Sequence, residues 1–211
     1  MTGDGDPRAA RMREDRRRQI IAAAKEVFAA RGYHSTSVND VIERAGIARG
    51  TFYLYFTGKA NVFASLVEEA LIELRSRVRR IDVGPGAPAP EAQLRGQLRA
   101  VVEGALADRP FTRLLLALWM SPDVEVAATI QAFYEHVTAL LASSLEQGVK
   151  IGLVRPCDPA LAAPWLLGGV RGGLAQLLDA PSPPPLDQVV STWIELAVRG
   201  IGIPASWESQ R

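Results

Sequence analysis

Residues 45–56 read AGIARGTFYLYF, and a lysine, Lys59, follows three positions later. Phe52 and Phe56 are four residues apart, so both side chains lie on one face of a helix. A helix over residues 49–55 would be too short to be stable alone, because two turns form few backbone hydrogen bonds. The stretch therefore predicts a short helix that is held between the helices before and after it.

The residues upstream predict two such neighbours. Residues 14–31 repeat apolar side chains at helical spacing, which predicts a longer supporting helix. Residues 37–45 predict a short helix that Thr36 or Ser37 can cap and that Gly46 ends. A supporting helix followed by two short helices around a glycine-containing turn is the pattern of a helix-turn-helix.

The face of helix 49–55 opposite the phenylalanines suits the major groove of DNA. It carries a cation, a glycine, a hydroxyl and two phenols: Arg49, Gly50, Thr51, Tyr53 and Tyr55. A cation suits phosphate or guanine, a threonine contacts base edges, and phenols reach phosphates. Thr36 and Ser37 would place hydroxyls and a helix N-terminus beside phosphate, and Lys59 would contact the flanking backbone. Without the preceding turn and the following lysine, the aromatic residues of helix 49–55 would be explained more simply as part of the hydrophobic core.

Residues 17–69 resemble the DNA-binding domain of the TetR/AcrR family of repressors. The resemblance rests on AAAKEVFAARGYHSTSVNDVIERAGIARGTFYLYFTGKANVFASLVEE, and above all on AGIARGTFYLYF with Lys59 after it. In that family the positions that match the exposed face of helix 49–55 contact DNA. The resemblance also implies a homodimer, held together by the last two helices, that reads paired half-sites of an operator.

The rest of the chain predicts further helices and no strands, because no segment alternates apolar and polar residues. The predicted helices are 59–80, 91–107, 110–120, 123–151, 159–179 and 186–201. The expected fold is therefore all-α with about nine helices. We predict a disordered basic arm over 1–13, a helix-turn-helix DNA-binding domain over 14–58, and an effector-binding and dimerisation domain over 59–211.

Charge is distributed unevenly along the chain. Residues 1–80 carry 15 Lys and Arg against 10 Asp and Glu, a net charge of +5, whereas residues 81–211 carry 9 against 13, a net charge of −4. This indicates a polyanion as the partner of the N-terminal part. Six arginines come before the first apolar residues of the supporting helix: Arg8, Arg11, Arg13, Arg16, Arg17 and Arg18. They are explained either by a solvated terminus or by an arm that follows the phosphates or the minor groove of DNA.

Several classes of protein are not expected from this sequence. There is one cysteine, Cys157, and two histidines, without a nucleophile motif, a carboxylate pair or metal-ligand spacing. We expect no enzyme activity, no metal and no cofactor. The N-terminus has no apolar segment of a secretory signal, and no apolar run reaches the length of a membrane span. A cytoplasmic protein without membrane association is expected.

The C-terminal part predicts a hydrophobic effector site and a dimer face. The predicted pocket residues are apolar or aromatic: Leu66, Phe111, Leu115, Trp119, Phe133, Tyr134, Val137 and Trp165. Polar candidates beside them are Gln131, His136 and Arg171. Residues 166–174 and the apolar side chains of 193–201 would form the dimer face. Both sets are also explained as intramolecular core, and control by a protein partner, or no control at all, is an alternative to a small-molecule effector.

Overall fold

The computed structural model describes residues 7–201, and their side chains as far as residue 197. Within this range every regular element is helical, as the sequence predicts. There are nine α-helices and one 3-10 turn between α6 and α7: α1 (Pro7–Arg31), α2 (Val38–Ala45), α3 (Arg49–Tyr53), α4 (Lys59–Arg77), α5 (Pro90–Ala107), α6 (Arg109–Ala117), the 3-10 turn (Leu118–Met120), α7 (Val124–Lys150), α8 (Pro159–Asp179) and α9 (Leu186–Ile201).

The first helix begins earlier than the sequence predicts. Residues 7–13 form the first turns of α1, so the prediction of a disordered arm over 1–13 is wrong for these residues, and residues 1–6 lie outside the described part. Pro7 suits the first helical position, and the alanines and arginines after it are strong helix formers. Helix propensity therefore extends α1 where apolar periodicity gives no signal.

Further boundaries differ from the prediction. α4 ends at Arg77, three residues before its predicted end at residue 80. Two other differences concern α3 and α6. α3 ends at Tyr53, with Leu54 as its C-cap, two residues before the predicted end. The predicted helix 110–120 is divided into α6 and the 3-10 turn that follows it. Local hydrogen bonding decides both ends, because tighter i to i+3 bonds commonly close the last turn of a helix.

The chain forms two compact units. The first comprises the described residues up to Ala70 together with Pro110–Ile130, and the second comprises Leu71–Arg109 and the described residues from Gln131 onward. These units do not coincide with the predicted domains, because residues 59–70 and 110–130 group with the helix-turn-helix. The division into functional domains at residues 58 and 59 stays a prediction.

The first unit is built on an aromatic core. Phe28, Phe52 and Phe63 have no exposed side-chain surface, and the neighbouring Tyr33 is 2% exposed. The ring of Phe28 lies 5.2 Å from that of Tyr33 and 6.2 Å from that of Phe63, between ring centroids. Residues 110–130 belong to this unit as well. One of their contacts with it is a hydrogen bond between the side chains of His34 and Ser121, with 3.3 Å between His34 Nε2 and Ser121 Oγ.

The second unit packs α5 against α8 and α9. Its central cluster is Val102, Leu177 and Val189, with Trp193 packed against it. Gly173 on α8 allows this close packing, since a Cβ there would collide with the indole of Trp193. Gly173 and Trp193, which the sequence also assigns to a dimer face, thus contribute to an intramolecular core.

Candidate nucleic-acid interface

The turn between α2 and α3 is fixed by groups at each end of α2. Ser37 is the N-cap: its hydroxyl accepts a hydrogen bond from the backbone N–H of Asp40 at 3.2 Å, and the Asp40 carboxylate accepts one from the backbone N–H of Ser37 at 2.7 Å. Of the two hydroxyls predicted to cap this helix, Ser37 is the one that does so. At the other end Gly46 has a φ of 63° and donates its N–H to the carbonyls of Ile42 and Glu43.

The Asp40 carboxylate is charged at neutral pH. Its hydrogen bonds from the Ser37 hydroxyl and backbone hold the pKa below its ordinary value, and the Arg31 guanidinium, 2.7 Å away, lowers it further. A negative charge in the first turn also interacts favourably with the helix dipole. The charged Asp40 side chain therefore completes the N-terminal cap of α2.

α3 is anchored by two aromatic side chains. Phe52 is fully buried and Phe56 is 3% exposed, with their ring centroids 6.0 Å apart. Ala48, the N-cap residue, offers no side-chain hydrogen bond to the helix. A helix of five residues without a side-chain cap is held by its buried face, as the sequence predicts.

The opposite face of α3 is open to solvent. Arg49 and Gly50 are exposed, Tyr53 is 48% exposed, and Thr51 and Tyr55 are half-buried. The predicted contact residues of this helix and its C-terminal turn thus reach the surface. A Cβ at Gly50 would meet nothing within 4 Å, so this position is also open to a ligand surface.

Arg49 is oriented by its neighbours. Its guanidinium donates to the Asn39 side-chain oxygen at 3.0 Å and lies 5.6 Å from the centroid of the Tyr53 ring. Asn39 extends the exposed surface onto α2, and the sequence reasoning did not single it out. An arginine that is already oriented loses less conformational entropy when it binds a base or a phosphate.

Leu54 is a second residue that the sequence reasoning missed. It follows α3 directly and is 82% exposed, although it is large and apolar. Apolar side chains contact the methyl group of thymine in the major groove. Its exposure could have been predicted from the sequence, because Leu54 lies between Tyr53 and Tyr55 and outside the buried stripe of Phe52 and Phe56.

Thr36 does not expose its hydroxyl to a phosphate. The side chain is 3% exposed, and its hydroxyl donates to the carbonyl of Gly32 at 2.8 Å. The expectation that this hydroxyl lies beside phosphate is wrong in this structure, because the loop after α1 uses it to close its own turn. Thr36 therefore contributes to the position of α2, while Ser37 is exposed at the helix start.

Lys59 makes intramolecular contacts at the start of α4. Its ammonium donates to the carbonyls of Tyr33 at 3.0 Å and Thr36 at 2.9 Å, and lies 4.4 Å from the centroid of the Tyr33 ring. Burial, together with the nearby carboxylates of Asp123 and Glu125, raises the pKa of Tyr33 to about 12, so the phenol stays neutral. An ammonium has three donors, so a phosphate contact by the third stays a prediction.

The predicted pocket residues of the first unit differ in exposure. Leu66 is 2% exposed, and Phe111 is 7% exposed with the Lys25 ammonium 4.8 Å from its ring centroid. Leu115 is half-buried, and Trp119 is 44% exposed. Leu66 and Phe111 thus behave as core in this unit, and Trp119 reaches the surface.

The predicted pocket residues of the second unit also divide. Tyr134 and Val137 are each 8% exposed, and Phe133 is half-buried. The guanidinium of Arg171 lies 6.0 Å from the Tyr134 ring centroid, so this polar candidate is next to its predicted neighbour. Trp165, by contrast, is 76% exposed. The polar candidates Gln131 and His136 are exposed as well.

Two surface depressions involve other residues. One, of about 440 Å³, is lined by α5 residues that include Arg95 and Arg99. The other, of about 430 Å³, is lined by residues that include Asn61 and Glu125. Neither is lined by a predicted pocket residue, so the effector pocket stays a prediction. Across residues 7–201 no cluster of three or more potential metal ligands occurs, and no helix there is long and apolar enough to span a membrane.

Comparison with known proteins identifies relatives of the chain. Residues 20–66 match the family model for bacterial regulatory proteins of the tetR family. The chain is 27% identical over 186 residues to the uncharacterized HTH-type transcriptional regulator YhgD of Bacillus subtilis, across 87% of this chain and 95% of that protein. It is 27% identical over 179 residues to the fatty acid metabolism regulator protein of the same bacterium, across 83% and 82% of the two chains.

Solved structures are similar over the same extent. The fatty acid degradation regulator FadR from Bacillus halodurans matches with a TM-score of 0.74 at 25% identity, across 88% of this chain and 95% of that chain. The similarity covers the helix-turn-helix and the helices after it. The all-helical architecture is therefore shared along nearly the whole chain.

Proposed function

Since this chain is a transcriptional regulator of the tetR family and not an enzyme, we propose that it is a repressor released from DNA by a small hydrophobic effector. It binds double-stranded operator DNA as a homodimer. The observation that carries the proposal is the exposed face of α3, where Arg49 and Tyr53 lie side by side opposite the buried Phe52. This face has the shape and chemistry of an element that enters the major groove.

The α3 surface divides into residues that read bases and residues that bind phosphate. Arg49 and Thr51, at the start of the helix, are proposed to contact base edges, as the first residues of recognition helices do. Tyr53, half-exposed at the helix end, is proposed to contact phosphate. Base contacts determine which sequence is bound, and phosphate contacts strengthen binding to every sequence.

Two duplexes test this division: one recovered by selecting random-sequence DNA on the immobilised protein, and one of random sequence and equal length. Thr51→Ala should weaken binding to the selected duplex by roughly 1–3 kcal/mol and leave the random duplex nearly unchanged. Tyr53→Phe, which removes only the phenol hydroxyl, should weaken both equally. Fluorescence anisotropy at several salt concentrations measures each affinity. Equal losses on both duplexes for both variants would contradict the division.

The dimer face is proposed to lie on α8. One face of this helix carries exposed residues, three or four positions apart, that are either apolar or glycine: Leu161, Pro164, Trp165, Gly168, Gly169 and Gly172. A Cβ at any of the three glycines would meet nothing within 4 Å, so a second helix can approach closely there. A continuous apolar stripe on a surface indicates an interaction site. We assign Trp165 to this face instead of the effector pocket.

α9 supplies part of the same proposal. Leu196 is 68% exposed, whereas Ile194 is buried and Trp193 packs on the core cluster of the second unit. Trp193 and Ile194 therefore belong to the intramolecular core, Leu196 is left for the proposed dimer face, and the side chain of Ile201 lies outside the described residues. The two-fold symmetry of a homodimer places two α3 helices against two half-sites.

The proposed effector is a hydrophobic small molecule. Fatty acids are the first class to test, because two similar proteins are named for fatty acid metabolism and fatty acid degradation. α4 and α7 each begin in the first unit and end in the second, and α4 is the one of these two helices that follows α3 directly in the sequence, so we propose it as the route by which binding in the second unit reaches α3. An effector that weakens DNA binding must itself bind more weakly to the DNA complex. Calorimetric titration of palmitate with and without the selected duplex tests this reciprocity, and equal affinities would exclude it.

A further inference from the structure

α1 begins 13 residues before its first buried side chain, Ile20. We call Pro7–Gln19 the basic segment. All its side chains are exposed except Arg17, which is half-buried. At 1.5 Å per residue the segment is roughly 20 Å long. Its helical structure is therefore not explained by core packing.

The basic segment has a strong excess of positive charge. It contains six arginines against two carboxylates, Glu14 and Asp15. Glu14 pairs with Arg18 at 3.1 Å, and Arg16 donates to the Gln19 side chain at 2.6 Å. Exposed pairs of this kind contribute little to stability. Six arginines and two carboxylates leave a net charge of +4 on this largely exposed helix.

The C-terminal end of the basic segment lies beside the flanks of α3. Gln19 donates to the carbonyl of Ala45, the last residue of α2, at 2.7 Å. Arg17 donates to the Ser65 hydroxyl at 2.9 Å and lies 5.6 Å from the ring centroid of Phe56, which follows α3. The C-terminal end of the segment thus contacts the last residue of α2 and a residue that follows α3, the two elements that position Arg49 and Tyr53.

We propose that the basic segment is a second DNA-binding element, a helix that contacts phosphates in addition to those reached by α2, α3 and the start of α4. The inference rests on the proposed function, since it requires the same DNA. Phosphate contacts carry no sequence information, so the segment strengthens binding to every duplex. The helix fixes the backbone of the segment before binding, which lowers the backbone entropy lost on association.

The test is the salt dependence of binding by the full chain. In the triple variant Arg11→Ala, Arg13→Ala and Arg16→Ala, three exposed cations are removed from positions where alanine favours the helix. The slope of log K against log salt concentration should fall in magnitude by up to about 2.7, at about 0.9 for each lost phosphate contact. The change should be equal on the selected duplex and on the random duplex.

Two matched variants accompany it. Arg75→Ala, Arg79→Ala and Lys150→Ala together remove three exposed cations of the second unit and should leave the slope unchanged. Glu14→Gln with Asp15→Asn removes negative charge from the basic segment and should tighten binding to both duplexes. Circular dichroism and thermal melting confirm that each variant is folded.

The outcomes separate this inference from the proposed function. If the wild-type chain binds the selected duplex and the Arg11, Arg13 and Arg16 variant keeps its slope, the basic segment does not contact DNA and only this inference is overturned. A loss confined to the selected duplex also overturns it. If the wild-type chain shows no salt-dependent binding to either duplex, the proposed function and this inference are both wrong.

Discussion

Replacing Lys59 by methionine tests whether this residue holds the helix-turn-helix together. Methionine keeps a long apolar side chain but loses the ammonium that joins the start of α4 to the loop before α2. That ammonium donates to the carbonyls of Tyr33 and Thr36 at 3.0 and 2.9 Å and lies over the Tyr33 ring. Both carbonyls belong to the loop that positions Ser37, so the loss is expected to affect folding and DNA binding together.

The expected magnitude follows from these contacts. Hydrogen bonds to charged groups contribute about 1.5–3 kcal/mol each when buried. Lys59 is half-buried, so water replaces part of each bond, and about 2 kcal/mol in total is expected. The ring contact adds about 0.5–1 kcal/mol. The Lys59→Met variant should therefore lose about 2–3 kcal/mol of unfolding free energy, which lowers the melting temperature by roughly 4–12 °C for a chain of this size.

Urea denaturation and thermal melting measure this loss, and fluorescence anisotropy measures DNA affinity. The control is Lys150→Met, which removes an exposed lysine at the end of α7 and should change the unfolding free energy by less than about 1 kcal/mol. If Lys59→Met keeps wild-type stability while its DNA affinity falls, Lys59 is a DNA contact and the positioning role is refuted.

Other substitutions test individual contacts. Ser37→Ala removes the N-cap of α2 and should cost about 1 kcal/mol in urea denaturation. Because hydrogen bonds depress the pKa of Asp40, its contribution to stability is present above its ordinary pKa of 3.8 and is lost as the pH falls through the depressed value; NMR titration of Ser37→Ala should show that pKa moving upward. Gly46→Ala places a side chain at φ 63° and should cost about 1–2 kcal/mol of unfolding free energy by urea denaturation. Trp165→Asp introduces a charge into the proposed dimer face and should yield monomers by analytical ultracentrifugation, and a variant that stays dimeric would place the face elsewhere.

The sequence was informative wherever one local rule decided the structure. A hydroxyl at Thr36 or Ser37 predicts the position of the α2 cap to within one residue, and the structure has it at Ser37. Phe52 and Phe56 at helical spacing predict the buried stripe of α3, and this in turn identifies its exposed face. These features depend on neighbours within a few residues, so their prediction does not need the tertiary structure.

The sequence was less informative where distant residues decide the environment. Thr36 and Ser37 are chemically similar neighbours, yet a carbonyl at Gly32 draws the hydroxyl of Thr36 inward. Trp165 is as apolar as a pocket residue should be, and only the packing of the second unit shows that it faces solvent. The extension of α1 to Pro7 results from helix propensity, whereas the prediction followed apolar periodicity and stopped at residue 14.

The central claim is that two copies of the chain present their α3 helices to two related half-sites. DNase footprinting on the selected duplex, with the number of bound chains counted by analytical ultracentrifugation, tests this claim most directly. The account predicts a two-fold-symmetric protected site with half-sites about one or two helical turns apart and an even number of chains bound to it. Protection of one asymmetric site by a single chain would contradict the account.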